Sequence, residues 1–360
     1  MKPLAETIEI NGRRVGPGQP VYVIAEMSAN HGHDYAKALQ LVEAAAEAGA
    51  DAVKIQTYTA DTLTLDVDNE HFRIGKGTIW EGRTLYDLYR EAYTPWDWQP
   101  KLKAAAARLG IDLFSTPYDA TAVEFLETMD VPVYKIASFE NVDLPLIRLV
   151  AATGKPAIMS TGMAAEDEVA EAVAAFREAG GTQLALLKCT SAYPAPPEEM
   201  NLRAIATLAA RFGCPVGLSD HGLELAVPVA AVALGACVVE KHLTLSRDAG
   251  GPDAPFSLEP AEFAAMVAAV RTAEKALGDG RWHVGPREQA SRVFRRSLFV
   301  AADMAAGEAF TAANVRSVRP GAGLHTRHLG EVLGCTAARD IKRGTPLSWD
   351  LVAERKQGSA

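Results

Sequence analysis

The sequence predicts an α/β protein: a (β/α)8 TIM barrel followed by a small C-terminal β-rich domain. Eight short apolar runs alternate with helical stretches over about 250 residues, which is the pattern of a parallel barrel. The runs begin apolar and end polar, as strands do when their carboxyl ends meet at one mouth. An open doubly wound sheet is the rival fold, but it usually has fewer strands, and no GxGxxG motif follows the first run.

The predicted elements follow in chain order. Residues 7–15 alternate in polarity around Asn11 and Gly12, which predicts a hairpin before the barrel. Helical stretches include residues 36–49, 121–129 and 166–180, and several end on glycine, which suits a helix C-cap. The eight candidate barrel strands are residues 21–28, 51–58, 112–117, 133–138, 157–163, 184–191, 216–221 and 237–242.

The sequence pattern divides the chain into two domains and a linker. We expect the barrel with its hairpin over residues 1–280, a linker over 281–296, and the small domain over 297–355. In that domain DMAAGEAFTAANV (303–315) recurs as DIKRGTPLSWDLV (340–352). Each copy predicts a short strand, a glycine turn and a Thr- or Ser-capped helical turn, so the domain should be pseudo-symmetric.

Composition restricts the class of protein. The net charge of −9 argues against nucleic acid and anionic membranes as partners, so an anionic substrate would need a local cluster of cations. No basic start precedes an apolar run, and the longest nearly uncharged stretch, 226–239, is too short to span a bilayer. The four cysteines are scattered without a CxxC pair, which is typical of reduced thiols in a cytoplasmic protein.

Two neighbouring candidate strands end on histidine, at His221 and His242. If a helix joins these strands in a parallel sheet, both imidazoles lie at the same edge and could bind a divalent transition metal. The alternative is two unrelated histidines, one hydrogen-bonded and one solvated. Two ligands alone do not decide between these interpretations.

Three lysines, Lys54, Lys135 and Lys188, lie inside otherwise apolar runs. Burying an ammonium group without a counter-charge is costly, so three of them at one mouth favour an anionic ligand such as a phosphate or carboxylate. The alternative is ion pairing with glutamates, for which the candidates are Glu26, Glu140 and Glu240.

Two loops carry candidate substrate contacts. Residues 71–98 hold seven aromatic side chains where the chain average predicts about two, so this segment is either a lid over an amphipathic sugar or a minor core of its own. The loop GGPDAPFSLEP (250–260) contributes Asp253 and Phe256.

Several ordered motifs stand out along the chain: AEMSANH (25–31), VKIQTYTADTLTLD (53–66), the segment 79–98, FSTP (114–117), YKIASFE (134–140), STGM (160–163), KCTSAYPAP (188–196), GLSDH (217–221), EKH (240–242) and RPGAGL (319–324). Taken together, these motifs resemble the bacterial sialic acid synthase family. The resemblance covers nearly the whole chain, including the C-terminal repeat, which is similar to the antifreeze-like (SAF) domain of that family.

The resemblance implies a reaction and assigns residues to it. Phosphoenolpyruvate would condense with the open-chain aldehyde of an N-acetylated amino sugar, giving a nine-carbon 2-keto acid and phosphate. His221 and His242 would hold Mn²⁺, with Mg²⁺ and Co²⁺ as alternatives, to polarise the aldehyde. Glu140 would activate the attacking water. Phosphoenolpyruvate would be bound by Lys54, Thr116, Lys135, Ser138, Ser160, Ser191 and Ser219.

The resemblance also implies the sugar contacts and the assembly. Glu26 would orient the sugar, and Arg319 would reach the active site of a neighbouring subunit, making the enzyme a homodimer with swapped C-terminal domains. The remaining sugar-side contacts would be Gln56, Tyr193, Asp253 and Phe256.

The choice of sugar stays open within the family. The aromatic segment 79–98 and Phe256 favour a 6-deoxy sugar whose methyl group meets an apolar surface. In the branch of the family that uses the 6-deoxy sugar, the loop at 250–260 usually reads more like GGVDSAFSLEP. Here it reads GGPDAPFSLEP, and its Gly-Pro-Asp is shared with the branches that use other N-acetylated hexoses, so those sugars remain alternatives. A synthase for octulosonate or heptulosonate phosphates is disfavoured because those enzymes lack the C-terminal repeat. A non-catalytic carbohydrate-binding module is disfavoured because it would need no histidine pair beside a general base.

Overall fold

The computed structural model describes residues 2–353. The chain forms two compact units, Met1–Gly278 and Asp279–Ala360, and the last two residues of the small domain expected over 297–355 lie outside the described residues.

The first unit opens with the predicted hairpin, β1 (Ile8–Ile10) and β2 (Arg13–Val15), which pair antiparallel. Its apolar side chains Ile8, Ile10 and Val15 are buried. Asn11 donates a hydrogen bond to Asp112 over 2.8 Å, at the start of one barrel strand. The hairpin therefore covers the amino-terminal end of the barrel, opposite the mouth.

Eight parallel strands close into a barrel, and the predicted fold class is confirmed. Both faces of each strand are covered, so the strands are buried almost throughout, as in other parallel sheets. The barrel strands are β3 (Tyr22–Glu26), β4 (Ala52–Thr57), β5 (Asp112–Pro117), β6 (Tyr134–Ile136), β7 (Ala157–Ser160), β8 (Leu184–Cys189), β9 (Val216–Asp220) and β10 (Val238–His242). They pair in chain order around the barrel, and β10 closes it by pairing with β3.

Most of these strands are shorter than the apolar runs that predicted them. The run 157–163 stops being a strand at Ser160, and the run 184–191 stops at Cys189. The physical reason is that the polar groups at the carboxyl ends leave the sheet to line the mouth. Ser138, Ser191 and His221 accordingly lie in loops just past their strands.

Helices pack around the barrel, and local sequence sets their ends. The side chain of Asp34 caps the helix Tyr35–Glu47 by accepting from the amides of Ala36 and Lys37, and Gly110 ends the helix Gln99–Leu109 with a φ of 77°. The helices are α1 (Tyr35–Glu47), α2 (Ala60–Leu63), α3 (Leu85–Ala92), α4 (Gln99–Leu109), α5 (Ala120–Thr128), α6 (Leu144–Ala152), α7 (Glu166–Glu178), α8 (Ala204–Phe212), α9 (Ala226–Ala233) and α10 (Pro260–Leu277). No helix among residues 2–353 is both long and apolar enough to cross a membrane.

The second unit contains α11 (Pro286–Ser291), α12 (Leu329–Val332) and two small antiparallel sheets. The sheets pair β11 (Ser297–Val300) with β12 (Val315–Val318), and β13 (Thr336–Ala337) with β14 (Val352–Ala353). The two sequence copies meet directly, since Met304 of the first forms an antiparallel bridge with Ile341 of the second. Each copy turns at a glycine with positive φ, Gly307 and Gly344.

Candidate active site

The barrel mouth holds a buried cluster of two lysines and two glutamates. Lys54 Nζ lies 2.7 Å from Glu26 Oε2 and 3.5 Å from Glu240 Oε1. Lys135 Nζ lies 3.8 Å from the same Glu240 oxygen. All four side chains are almost fully buried. Their formal charges cancel, so the lysines are held in place before any substrate arrives.

Glu240 is the member of this cluster to which the sequence interpretation assigned no functional role. It accepts a hydrogen bond from Ser219 Oγ over 3.1 Å and lies between the two lysines. Burial alone would raise the pKa of Glu240, but Lys135 and Lys54 outweigh burial and hold it below its ordinary range. The signal that could have found it is its place in the polar end of β10, two residues before His242.

The hydroxyl groups predicted to bind an anion gather beside Lys135. Lys135 Nζ donates to Ser160 Oγ over 2.7 Å, and the Gly162 amide donates to Ser138 Oγ over 3.1 Å. A Cβ at Gly162 would lie 2.2 Å from Ser191 Oγ and 2.7 Å from Ser138 Oγ, so only glycine lets the loop pass this close. Thr116 completes the far side of the pocket, 3.4 Å from Lys54 Nζ. An ammonium group among hydroxyls is a suitable cradle for a phosphate or carboxylate.

Glu140 lies on the turn that follows β6 and is mostly buried. Its Oε2 atom is buried and has no hydrogen-bond partner. Burial raises the pKa of Glu140 from its ordinary value of 4.5 to about 7, although Lys135 opposes this effect. A carboxylate with this pKa and a free oxygen is suited to accept a proton from water near neutral pH.

His221 and His242 lie side by side, with their ring centroids 5.3 Å apart. The Nδ1 atom of His221 lies 3.0 Å from the Thr190 carbonyl, to which it can donate, leaving Nε2 free, while Nδ1 of His242 is buried without a partner. Burial, reinforced by His221, lowers the pKa of His242 well below its ordinary range, so this imidazole is neutral. For His221 burial also lowers the pKa, but contacts with Cys189 and the Thr190 carbonyl outweigh it and leave the pKa raised.

This pair fits a divalent metal with open coordination positions. A ring nitrogen that lacks a partner, on a neutral imidazole, is an available ligand, and a backbone carbonyl that orients the other ring is a common feature of metal-binding histidines. Across residues 2–353 there is no group of three or more His, Cys, Asp or Glu side chains arranged to hold a metal ion. The protein would therefore supply two ligands, and water or substrate would supply the others.

An aromatic wall faces the histidines. The Phe256 ring lies 4.9 Å from His242 and 5.1 Å from Tyr193, and Tyr193 lies 4.5 Å from His221. Trp80 belongs to the long segment between β4 and α4 and contacts this wall. Its Nε1 donates to the Pro252 carbonyl over 3.0 Å, and its ring lies 5.5 Å from Tyr193. Trp80 is thus the lid-like residue of that segment.

Most other aromatics of that segment pack as a minor core. Trp96 lies 4.8 Å from Phe125, and Tyr89 lies 5.8 Å from Tyr58. The minor-core interpretation therefore holds for most of the segment, whereas Trp80 lies at the mouth.

A polar network lies on the remaining side of the mouth. Gln56 Nε2 donates to Glu26 Oε1 and to Ser28 Oγ, each over 3.0 Å. Ser28 in turn donates to Asp253. Burial is the main cause of a raised pKa at Asp253. Gln56, Glu26 and Asp253 therefore line one side, as a hydroxyl-rich substrate would require.

Lys188 does not join the other two lysines, so the expectation that all three point at one mouth is wrong. Side chains alternate along a strand, and it is the neighbouring Cys189 that faces inward, with its Sγ 4.0 Å from His221 Nδ1. Lys188 instead lines a separate cavity of about 510 Å³ beside α7 and α8, and its Nζ donates to the Cys189 carbonyl over 2.6 Å.

Arg319 is exposed on the loop after β12 in the second unit.

Comparisons with known proteins give consistent matches. The family described as the NeuB family matches residues 41–282, and the SAF domain matches residues 295–353. The chain is 48% identical to a pseudaminic acid synthase of Campylobacter jejuni, over 91% of this chain and 95% of that protein. It is 41% identical to a pseudaminic acid synthase of Helicobacter pylori, over 92% and 98%.

Two further similarities are more distant. An N,N'-diacetyllegionaminic acid synthase of Legionella pneumophila is 36% identical, over 95% of this chain and 98% of that protein. Among solved structures, the N-acetylneuraminic acid synthetase of Leptospira borgpetersenii in complex with citrate aligns with a TM-score of 0.71 at 31% identity, over 81% of this chain and 96% of that one.

Proposed function

The chain belongs to the NeuB family, and from this we propose that it is a pseudaminic acid synthase. It would condense phosphoenolpyruvate with 2,4-diacetamido-2,4,6-trideoxy-L-altrose and water, giving pseudaminic acid and phosphate. The observation that carries the proposal is one barrel mouth that combines a lysine and hydroxyl cradle, a carboxylate with a free oxygen, and a pair of imidazoles. The alternative is the corresponding synthase for N-acetylneuraminate or legionaminate.

Phosphoenolpyruvate would lie against Lys54 and Lys135. Because Glu26 and Glu240 already neutralise these lysines, hydroxyl and amide donors must supply much of the attraction for the phosphate. Those donors would come from Thr116, Ser138, Ser160, Ser191 and Ser219.

The sugar would lie between the polar network and the aromatic wall. Glu26, Gln56 and Asp253 offer acceptors and donors for its hydroxyl and acetamido groups. Phe256, Tyr193 and Trp80 offer an apolar surface that suits the methyl group of a 6-deoxy sugar. The greater identity to the pseudaminic acid synthases, 48% against 36% for the legionaminic enzyme, supports the same choice.

The reaction forms one carbon–carbon bond and breaks one carbon–oxygen bond. The methylene carbon of phosphoenolpyruvate attacks the aldehyde carbon, whose oxygen takes a proton and becomes a hydroxyl group. Glu140 accepts a proton from water, and the hydroxide attacks C2 of the phosphoenolpyruvate unit. The tetrahedral carbon then loses its hydroxyl proton and collapses to the ketone, expelling phosphate with the bridging oxygen. The two protons of the water thus end on the new hydroxyl group of the sugar chain and on the released phosphate.

His221 and His242 would hold Mn²⁺, or Mg²⁺ or Co²⁺ in its place. When bound, the ion would act as a Lewis acid on the aldehyde oxygen. The partnerless Nδ1 atom of His242 and the neutral state of that ring support this role.

We also propose a homodimer in which Arg319 of one chain reaches the mouth of the other. Arg319 is exposed in the single chain. This exposure is expected of a residue whose side chain binds substrate in the active site of another subunit. Three large apolar side chains near the mouth, Phe139, Val142 and Met163, are more than half exposed, which suits a face that a partner covers. We expect the protein in the cytoplasm, where phosphoenolpyruvate is available.

Phosphate release tests the proposal directly. The purified enzyme with Mn²⁺ and phosphoenolpyruvate would be offered the 6-deoxy-L-altrose derivative, the legionaminic precursor and N-acetylmannosamine in parallel. Turnover with the first sugar alone is the expected result. Turnover with another sugar would retain the chemistry and change the substrate, whereas no turnover with any of them, in folded metal-loaded protein, would refute the reaction.

A further inference from the structure

Behind the two histidines lies a buried ion pair that the reaction does not use. Asp220, at the end of β9, pairs with Lys241 of β10, and both side chains are fully buried. The two residues are direct partners in the strand register. Each immediately precedes a histidine, His221 or His242. Since side chains alternate along strands, the ion pair faces away from the mouth while the histidine after each member faces into it.

The carboxylate of Asp220 accepts hydrogen bonds from two groups close to His221. One oxygen, Oδ2, accepts from Lys241 on the adjacent strand. The other, Oδ1, accepts from the Gly222 amide over 2.9 Å, just beyond the histidine. The backbone that carries His221 is therefore fixed on both sides, once to β10 and once to the loop that follows.

A buried ion pair is weak evidence for stability, because apolar residues of similar volume often replace one at little cost. A directional pair does, however, fix register. Here the register sets the spacing of the two imidazoles, whose centroids are 5.3 Å apart. A small displacement of the end of β9 relative to the end of β10 would therefore move one ring relative to the other.

We propose that Asp220 and Lys241 are positioning residues that hold His221 and His242 at metal-binding separation. This inference rests on the proposed function insofar as it assigns a metal to the histidines. The pair acts through the backbone and touches neither substrate nor metal.

The test uses the full-length protein with a double substitution, Asp220→Leu with Lys241→Met, which removes both charges together and so leaves no unpaired buried ion. The affinity of metal-free protein for Mn²⁺ would be measured by electron paramagnetic resonance, beside thermal unfolding. We expect Mn²⁺ affinity to fall about 10- to 100-fold, as for other residues that orient ligands. Unfolding temperature should change little.

Asp51→Asn is the matched control. Asp51 also joins an ion pair, with Arg271, and accepts from the Val23 amide over 2.8 Å, but it lies at the opposite end of the barrel. This variant should lose stability and keep its Mn²⁺ affinity. Unchanged affinity in the double variant, or an equal loss in Asp51→Asn, would overturn the proposal.

A second readout needs no metal. In metal-free wild-type protein His221 Nδ1–H should donate a hydrogen bond to the Thr190 carbonyl, and its proton should be visible by imidazole NMR. In the double variant this proton should exchange faster and shift, and an unmoved signal would also overturn the proposal. If the wild type binds no Mn²⁺, the metal assignment of the proposed function fails, and the NMR result alone decides the role of Asp220 and Lys241.

Discussion

Replacing Glu140 with glutamine should stabilise the protein while disabling it. The substitution keeps the shape of the side chain and breaks no hydrogen bond of Oε2, which has none. It removes a carboxylate whose pKa burial raises from 4.5 to about 7. That shift corresponds to about 3 kcal/mol against the ionised form in the folded state. Because Glu140 retains some exposure, we expect a gain of about 1–3 kcal/mol.

The size of this gain in stability depends on pH. Below pH 4.5 the carboxyl is protonated in both folded and unfolded wild type, so the variant should gain almost nothing. Between pH 4.5 and about 7 the Glu140 carboxyl ionises in the unfolded chain but stays protonated in the folded chain. The stability of the wild type therefore falls as the pH rises through this range. Above about pH 7 the full difference in unfolding free energy between Glu140→Gln and wild type should be present.

Two assays check this prediction. Unfolding temperature measured from pH 4 to pH 8 should diverge between Glu140→Gln and wild type as pH rises, by a few degrees at pH 8. Phosphate release should fall about 10²- to 10⁴-fold in kcat, the usual loss of a general base. Glu43→Gln, an exposed residue of α1, is the control and should change neither quantity. Equal stability of Glu140→Gln and wild type at pH 8, or near-normal turnover, would refute the reasoning.

Three further substitutions probe the other parts of the site. Lys135→Met should raise the KM for phosphoenolpyruvate about 10- to 100-fold in steady-state kinetics, since one charge-assisted hydrogen bond is lost; an unchanged KM would remove Lys135 from the phosphate cradle. Trp80→Ala should raise the KM for the sugar and leave that for phosphoenolpyruvate unchanged, and equal effects on both would contradict its place in the sugar wall. Arg319→Ala should abolish turnover with normal unfolding, and mixing it with an inactive His221→Ala chain should restore part of the activity; no recovery after subunit exchange would argue against a site shared between chains.

Much of the fold could be predicted from the sequence because it depends on local patterns. Apolar runs of strand length, separated by helices, are sufficient to predict a parallel barrel, and the eight-stranded closed barrel confirms this. Polar residues at the ends of those runs identified the mouth. The resemblance to the sialic acid synthase family, carried by ordered motifs, is confirmed by the NeuB and SAF matches.

Other features depend on which way a side chain points, and a sequence run does not reveal that unless its register is known. Lys188 and Lys135 look alike in sequence, yet strand alternation sends Lys188 to the outer cavity and Lys135 into the mouth. Trp80 is one of seven aromatics in its segment, and only the folded loop brings it against Tyr193.

The sequence by itself therefore determined the barrel, its small partner domain and the chemical types gathered at the mouth, since these follow from periodicity and composition. Only the tertiary structure decided which charges meet. Glu240 comes between Lys54 and Lys135, and Asp220 pairs with Lys241, because barrel closure sets the register between strands that are distant in the chain. An ion pair forms only where its nitrogen and oxygen atoms come within about 4 Å of each other, so the pairing of charges in this buried site is fixed by that register rather than by the order of residues.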